Sequence, residues 1–326
     1  AGPTAFVRII GAFGIDWFSD KAQWMGRLGQ VHEPLAMKGA VQPISSGRWD
    51  DPIAAGRFNL SLKPGETKAF AVVIGATVGL DSALGLARSI TLEGAHSLLE
   101  ETRTFHRESS EVLEIQTPDP IVDLMANAWL PYQATIGRMT ARCAYYQQGG
   151  AYGFRDQLQD SLMHLDTDPS ITLRQIGIHA EAMYDDGSVR HWWHPNSSIF
   201  TKSKHSDTCL WLSHATLDYL DETADLSTLD LEFRYVSDGD AVTTGSLLEH
   251  CQKGVDRALE RRSARGLPLI GAGDWNDGLS HAGLDGKGES AWLAMFLFQI
   301  LNRMALVFDR IGLVGQAERY RAEAVS

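Results

Sequence analysis

Apolar residues change their spacing along the chain, and the change divides it. Up to about residue 80 the spacing is that of strands. "TAFVRIIGAF" near the start is a strand-like run. "RFNLSLKPGETKAFAVVIGA" alternates Phe58, Leu60 and Leu62, turns at Pro64-Gly65 and returns as an apolar strand, Phe70 to Ile74. From about Asp81 the period becomes 3.6, and "SALGLARSI" and "AHSLLEETRTFHRE" are expected as linker helices. "TPDPIVDLMANAWLPYQATIGRMTARCAYY" opens a helical region at 117, with Thr117 or Asp119 as cap and Pro131 as the expected kink. "SLLEHCQKGVDRALERR" begins with Ser246 and Glu249, a capping box, and lines up Leu247, Leu248, Cys251, Val255 and Leu259 on one stripe.

Long polar-aromatic loops at 147–156, 184–207 and 268–289 interrupt the helices. Loops of that length in a compact domain tend to be functional or disordered, and their Trp, His, Tyr and Gly content argues against disorder. Composition then narrows the field. The 326 residues carry a net charge of −12 with no basic run, which argues against nucleic acid or an anionic membrane as partner. Cys143, Cys209 and Cys251 lie far apart with no CxxC and are expected as buried thiols of a reducing compartment. "SAWLAMFLFQILNRMALVF" contains Gln299, Asn302 and Arg303 and is expected as a core helix, not a membrane span. The expectation is a cytoplasmic, soluble chain. Its strand-like start and its stop inside a helical pattern suggest a fragment.

Four segments carry candidate chemistry. "GAGDWNDGL" presents Trp275 between Asp274 and Asp277 on a glycine-rich loop. A pyranose offers an apolar face to an indole and an oxygen to be protonated, and a carboxyl beside an indole is expected to be desolvated toward general-acid duty. The same loop could be an Asx turn. "YYQQGGAYGFRDQLQDSL" crowds Arg155, Asp156, Gln159 and Asp160, a set that grips vicinal hydroxyls or pairs internally at a helix start. "VRHWWHPNSS" sets Trp192 and Trp193 between His191 and His194. Sugar stacking, core aromatics and, with His205 and Asp207 nearby, a zinc site all stand open there. "SDTCLWL" puts Asp207 before an apolar run, as a helix cap or a site residue. Asp285 and Glu289 could cap the next helix or orient the 271–278 loop.

"QQGGAYGFRDQLQD", "HWWHP", "SDTCLWL", "GLPLIGAGDWNDGL" and "GKGESAWLAMFL", taken in order, resemble glycoside hydrolase family 94, the inverting disaccharide and oligosaccharide phosphorylases, and within it the phosphorylase-like C-terminal region of bacterial cyclic β-1,2-glucan synthases. The resemblance implies a β-sandwich portion at 1–80, a helical linker at 81–116 and an (α/α)6 barrel from 117 to 326. Twelve helices of average length need roughly twice the residues available, so only the first part of the barrel is expected. The resemblance makes Asp277 the general acid and gives Arg155, with Asp156 or Asp160, and Trp275 to the donor subsite. Trp193, His194, Asp207 and Asn276 are further substrate-binding candidates. No cofactor or metal is implied; inorganic phosphate is the co-substrate, attacking the anomeric carbon while Asp277 protonates the leaving oxygen. The family's phosphate-binding His and Thr/Gly lie beyond this chain. Two departures stand out: Thr208 where the pattern carries a second Asp, and "YDDGSVRHWWHP" ahead of the tryptophans. The partners implied are β-glucan oligosaccharides, a second copy in a homodimer, and a larger synthase polypeptide, whose parent would be an inner-membrane protein. Two other functions stay open, a carbohydrate-binding module without turnover and an inverting hydrolase with Glu289 or another acid as base.

Overall fold

The computed structural model describes residues 2–39, 41–48, 50–110, 114–140, 150–195, 198–237 and 242–326. Cys143, the 145–149 start of the Gly-Gly segment and residues 196–197 behind the Trp-Trp pair lie outside the described residues. The chain divides into two compact units, Ala1–Glu108 and Ser109–Ser326.

The first unit runs β1 (Pro3–Ile10), β2 (Asp16–Asp20), α1 (Lys21–Met25), β3 (Pro52–Arg57), β4 (Ala71–Val78), α2 (Leu80–Ser89) and α3 (Leu92–Ser110). β1 pairs antiparallel with β4 from Pro3↔Val78 to Ile10↔Ala71, and β2 pairs with β3. Phe18, Ala36 and Val41 form a small core, with Trp24 and Ala55 packed on it. The hairpin expected across Pro64-Gly65 forms only in part. The turn is present, Glu66 N–H donating to Lys63 O at 2.9 Å, and the return strand is β4. The first arm, Phe58 to Leu62, forms no strand, and Leu60 and Leu62 are exposed. Alternation marks a face but not a partner, and β4 takes its partner from the distant β1.

The second unit is mostly helical. Asp119 caps α4 (Pro120–Leu124), its carboxylate accepting from Ile121 N–H at 2.9 Å, with Pro120 in the first turn, where its missing N–H costs nothing. Wide π-type turns at Met125–Trp129 and Gln133–Thr140 flank α5 (Leu130–Tyr132), the segment that holds Pro131. There follow β5 (Tyr152–Gly153), α6 (Phe154–Ser161), α7 (Pro169–Ala180), β6 (Arg190–Trp193), β7 (Phe200–Lys202), α8 (Trp211–Thr223), β8 (Glu232–Arg234), β9 (Thr244–Ser246), α9 (Leu247–Glu260), α10 (Ala291–Arg310) and α11 (Val314–Val325).

The core of this unit draws on α6 through α11, with Phe154, Leu158, Ile176, Leu212, Val255, Ile300 and Phe308 fully enclosed. Each side chain of that size stabilises the fold by roughly 1.5–3 kcal/mol relative to exposure. α9 has the expected capping box, and Leu247, Cys251, Val255 and Leu259 are buried along its stripe with Leu248 packed against them. α10 is the one helix among the described residues long and apolar enough to cross a membrane, yet Leu293, Phe296, Leu297, Ile300, Leu301 and Met304 bury one face in this core. β5, β6 and β7 form a three-stranded antiparallel sheet with β6 in the middle. That sheet, the start of α6 and the 270–280 loop place the candidate residues.

Candidate active site

α6 begins where β5 ends, and Phe154 and Leu158 on its inner side are completely buried. That burial fixes the helix and sets Arg155 in its first turn, almost enclosed. The guanidinium joins three distant segments. Nη1 donates to Asp207 Oδ2 and to the Asp274 carbonyl, both at 3.2 Å, and Nη2 donates to Asp277 Oδ1 at 2.8 Å and Oδ2 at 3.0 Å. Only a planar fork with fixed donors can serve a carbonyl and two carboxylates at once. Burial works against the charge, but the Asp207 carboxylate, then Asp277, outweigh it and hold the guanidinium more firmly protonated than usual.

Asp207 is 0% exposed. It occupies the N-cap position of the short 3-10 turn Thr208–Leu210, yet its side chain makes no capping bond. Oδ2 instead accepts from Arg155 and from the Trp211 indole N–H at 2.9 Å. A charged donor offers the buried carboxylate more than a backbone amide does, which displaces the cap role. Oδ1 has no hydrogen-bond partner.

The two aspartates of the 271–279 loop separate cleanly. Asp274 is buried: Oδ1 accepts from Asn276 N–H at 2.7 Å and from its amide at 3.2 Å, and Oδ2 accepts from the Ser290 hydroxyl. Ser290 is in turn the cap of α10, accepting from Leu293 N–H at 3.0 Å. Asp274 is therefore a structural peg that closes an Asx turn and ties the loop to a helix start. Asn276 is spent within that turn. Asp277 opens the short turn Asp277–Leu279, and its side chain is 67% exposed. The burial expected of it is absent, because its carboxyl is open to solvent while held by Arg155. Trp275 stacks on Trp292 at 6.2 Å, Trp292 on Phe296 at 5.2 Å, and Phe296 leans on Trp211 at 4.8 Å. This aromatic ladder leaves Trp275 48% exposed, with an indole surface still available for contact.

Other candidates fall elsewhere. Trp193 is buried in the core between Tyr152, His179 and Phe154, so it has no open face for a sugar. The β6 alternation turns it inward and leaves Trp192 half-buried on the other face. His194 lies edge-on to Trp192 at 5.8 Å, while His191 stacks on His205 at 4.8 Å. The two rings thus keep different company, and among the described residues no group of three His, Cys, Asp or Glu side chains is placed to hold a metal ion. Asp160, five residues along α6 from Arg155, projects to another side and pairs with Arg138 at 3.0 Å; burial raises its proton affinity. Asp156 stands beside Arg155 in the first turn of α6, and its charge acts on His191 and His179. Glu289 does not cap α10: it pairs with Arg265, whose bonds hold it well below the usual carboxylate range. Asp285 is exposed and the cap is Ser290. Sequence reasoning missed Ser290 and Trp292. A serine directly before "AWLAMF" is a legible helix start, but its second bond to Asp274 is not.

Comparison with known proteins gives a consistent picture. A family model described as the glycosyl hydrolase 94 superfamily, catalytic domain, matches residues 105–326, and one described as the glycosyl hydrolase 94 supersandwich domain matches residues 1–97. The chain is 32% identical over 295 residues to "Cyclic beta-(1,2)-glucan synthase NdvB" of Rhizobium meliloti (strain 1021), which covers 86% of this chain and 10% of that protein. It is 28% identical to "Solabiose phosphorylase" of Paenibacillus borealis, covering 87% of this chain and 35% of the relative. It is 26% identical to "Cellobionic acid phosphorylase" of Neurospora crassa, over 94% and 38% respectively. The chain thus spans a tenth to about two fifths of these relatives.

Proposed function

We propose that this chain, which belongs to the glycosyl hydrolase 94 family, carries the acid half of a site for inverting phosphorolysis, or the reverse synthesis, of β-linked gluco-oligosaccharides. The arrangement that supports this most is the Asp277 carboxyl, gripped by Arg155 through both oxygens, two residues from a half-exposed Trp275. The indole takes the apolar face of a pyranose, and Asp277 protonates the glycosidic oxygen. Inorganic phosphate attacks the anomeric carbon from the opposite face, and the product is α-glucose 1-phosphate. Phosphate is already anionic at neutral pH, so one protein carboxyl suffices where an inverting hydrolase needs two about 6.5–9.5 Å apart. Glu289, the other acid considered for that second role, is engaged by Arg265. Arg155 orients the acid, and the unpartnered Asp207 Oδ1 is an acceptor in reach of the same cluster. The fold we assign is a β-sandwich portion followed in sequence by the first part of an (α/α)6 barrel, within a larger synthase or phosphorylase polypeptide.

The test is to incubate the chain with β-1,2- and β-1,4-linked gluco-oligosaccharides, with and without phosphate, and to assay glucose 1-phosphate. Phosphate-dependent release is expected where the phosphate half of the site is supplied, by a second copy or by the rest of the polypeptide, with Asp277→Asn losing at least about a hundredfold in turnover while sugar affinity is kept. Glucose released without phosphate would replace the reading with a hydrolase. A second reading, a carbohydrate-binding part of a glucan synthase, draws on the 10% of the synthase relative that the chain covers. Its signature is sugar binding without any product, unchanged in Asp277→Asn.

A further inference from the structure

Arg155 holds Asp277 through a single nitrogen, Nη2, which serves both carboxylate oxygens. One nitrogen fixes a distance but leaves the carboxyl free to rock about it. A second contact from another direction removes that freedom, and among the described residues His205 stands where it can make one. His205 Nε2 lies 3.7 Å from Asp277 Oδ1. That is too long for a hydrogen bond, but catalytic hydrogen bonds are often long in the free protein and tighten when ligand docks.

His205 is itself built in. Its ring lies flat on His191, centroids 4.8 Å apart and planes within 9°. Its backbone N–H donates to the Ser203 hydroxyl at 3.2 Å, and the same hydroxyl meets Thr208 Oγ1 at 2.9 Å and His191 Nδ1 at 3.4 Å. Thr208 is thus absorbed into the support of the histidine pair. From the loop side, Gly273 makes the approach possible: a Cβ there would sit 2.9 Å from both Cδ2 and Nε2 of His205. His205 also bridges to Gly271, and Ser206 N–H donates to the Gly273 carbonyl at 2.9 Å. The charged groups acting on His191 are Arg155, Asp156 and Asp277, and Asp277 is also the one that faces His205. Burial first, then the neighbouring His205 and Arg155, push His191 toward its neutral form, so His191 acts as a flat support and not as a competing cation.

We infer that His205 is a positioning residue for Asp277: its Nε2–H takes Oδ1, completes with Arg155 a two-sided clamp, and leaves Oδ2, with Arg155 as its one protein donor among the described residues, as the oxygen that meets the sugar. The inference rests on Asp277 being the acid, and it assigns the Nε2–H tautomer of His205. A neutral ring suffices, since the acceptor needs only a donor.

The test uses two substitutions that separate donation from packing. His205→Gln keeps an N–H at the reach of Nε2 and loses the flat ring; His205→Phe keeps the ring and loses the donor. Oligosaccharide phosphorolysis is expected to fall about tenfold in kcat for His205→Phe, with KM unchanged, and to recover in His205→Gln. The opposite order, Gln impaired and Phe normal, would mean that His205 only packs. An activity-free measurement distinguishes failure of this inference from failure of the sugar reading. In nitrogen-detected NMR of the histidine rings at pH 7, Asp277→Asn should move the His205 signal more than that of any other histidine, the signal being assigned by its loss in His205→Gln. A His205 signal indifferent to Asp277→Asn overturns the clamp even if the chain is an active phosphorylase. A moved signal in a chain without turnover keeps the clamp and sinks the phosphorolysis instead.

Discussion

Asp207 keeps a carboxylate where no water reaches it, with Arg155 as its one cationic partner among the described residues. Removing one member of such a pair leaves the other charge buried and uncompensated, which costs far more than the pair itself contributes. Arg155→Met should therefore lower stability by about 3–5 kcal/mol, read by urea unfolding at pH 7. Asp207→Asn in that background should restore part of the loss, because the stranded charge is gone. An unchanged midpoint in Arg155→Met would show that Asp207 is solvated after all. The types at this scale were legible in the sequence: an Arg among acids, a Trp between two Asp. Which acid does what was not, because the answer lies in partners far along the chain. Asp274 and Asp277 look alike in "GDWNDG", and distant partners, the hydroxyl of Ser290 and the guanidinium of Arg155, help to tell them apart. Trp193 misled for the same reason. Its neighbour Trp192 carries the identical side chain, and one step along a strand exchanges core for surface.

Helix starts were the most readable elements, since their signals are local. Asp119 and Ser246 cap where expected, and Ser290, a small polar residue before an apolar period, takes the cap expected of Asp285 or Glu289. Ser290 does more than cap, because its hydroxyl also donates to Asp274. Ser290→Ala should cost about 1 kcal/mol for the cap and about 1.5–3 kcal/mol more for the bond to a buried carboxylate. Hydrogen exchange would show whether the loop follows: the Asn276 amide, held by Asp274, should exchange faster in the variant. Protection unchanged there would separate the helix cap from the loop peg. Strands were harder. The arm at Phe58–Leu62 alternates well and still forms none, since a strand needs a partner that no local pattern names. The π-type turns around α5 carry no signal in the periodicity, which differs too little from 3.6 over so few residues.

Across the whole molecule, burial pushes His164, His179, His191, His214 and His250 toward the neutral form. His179 is the extreme case, pushed down to about 4 in a fully enclosed position. A histidine whose folded pKa lies below its unfolded value contributes stability that is present above pH 6.5 and is lost as pH falls toward the folded value, because only the unfolded chain takes the proton there. For His179 alone the loss between pH 7.5 and 5 is about 2 kcal/mol, at 1.36 kcal/mol per pH unit below 6.5. Urea unfolding at both pH values, on the chain and on His179→Gln, should show a smaller pH dependence in the variant by about that amount. Equal slopes would place the acid sensitivity in the other histidines. The junction at Arg155 has a different consequence, one of timing. Its bonds reach 52 residues ahead to Asp207, 119 to Asp274 and 122 to Asp277. As the chain leaves the ribosome, α6 is complete long before any of these partners exists. Contacts closing such long loops form late, after local helices have settled. The sugar site we propose is thus completed late in the folding of this segment, and a ligand that binds there reports that α6 and the 207 and 274–277 loops have come together.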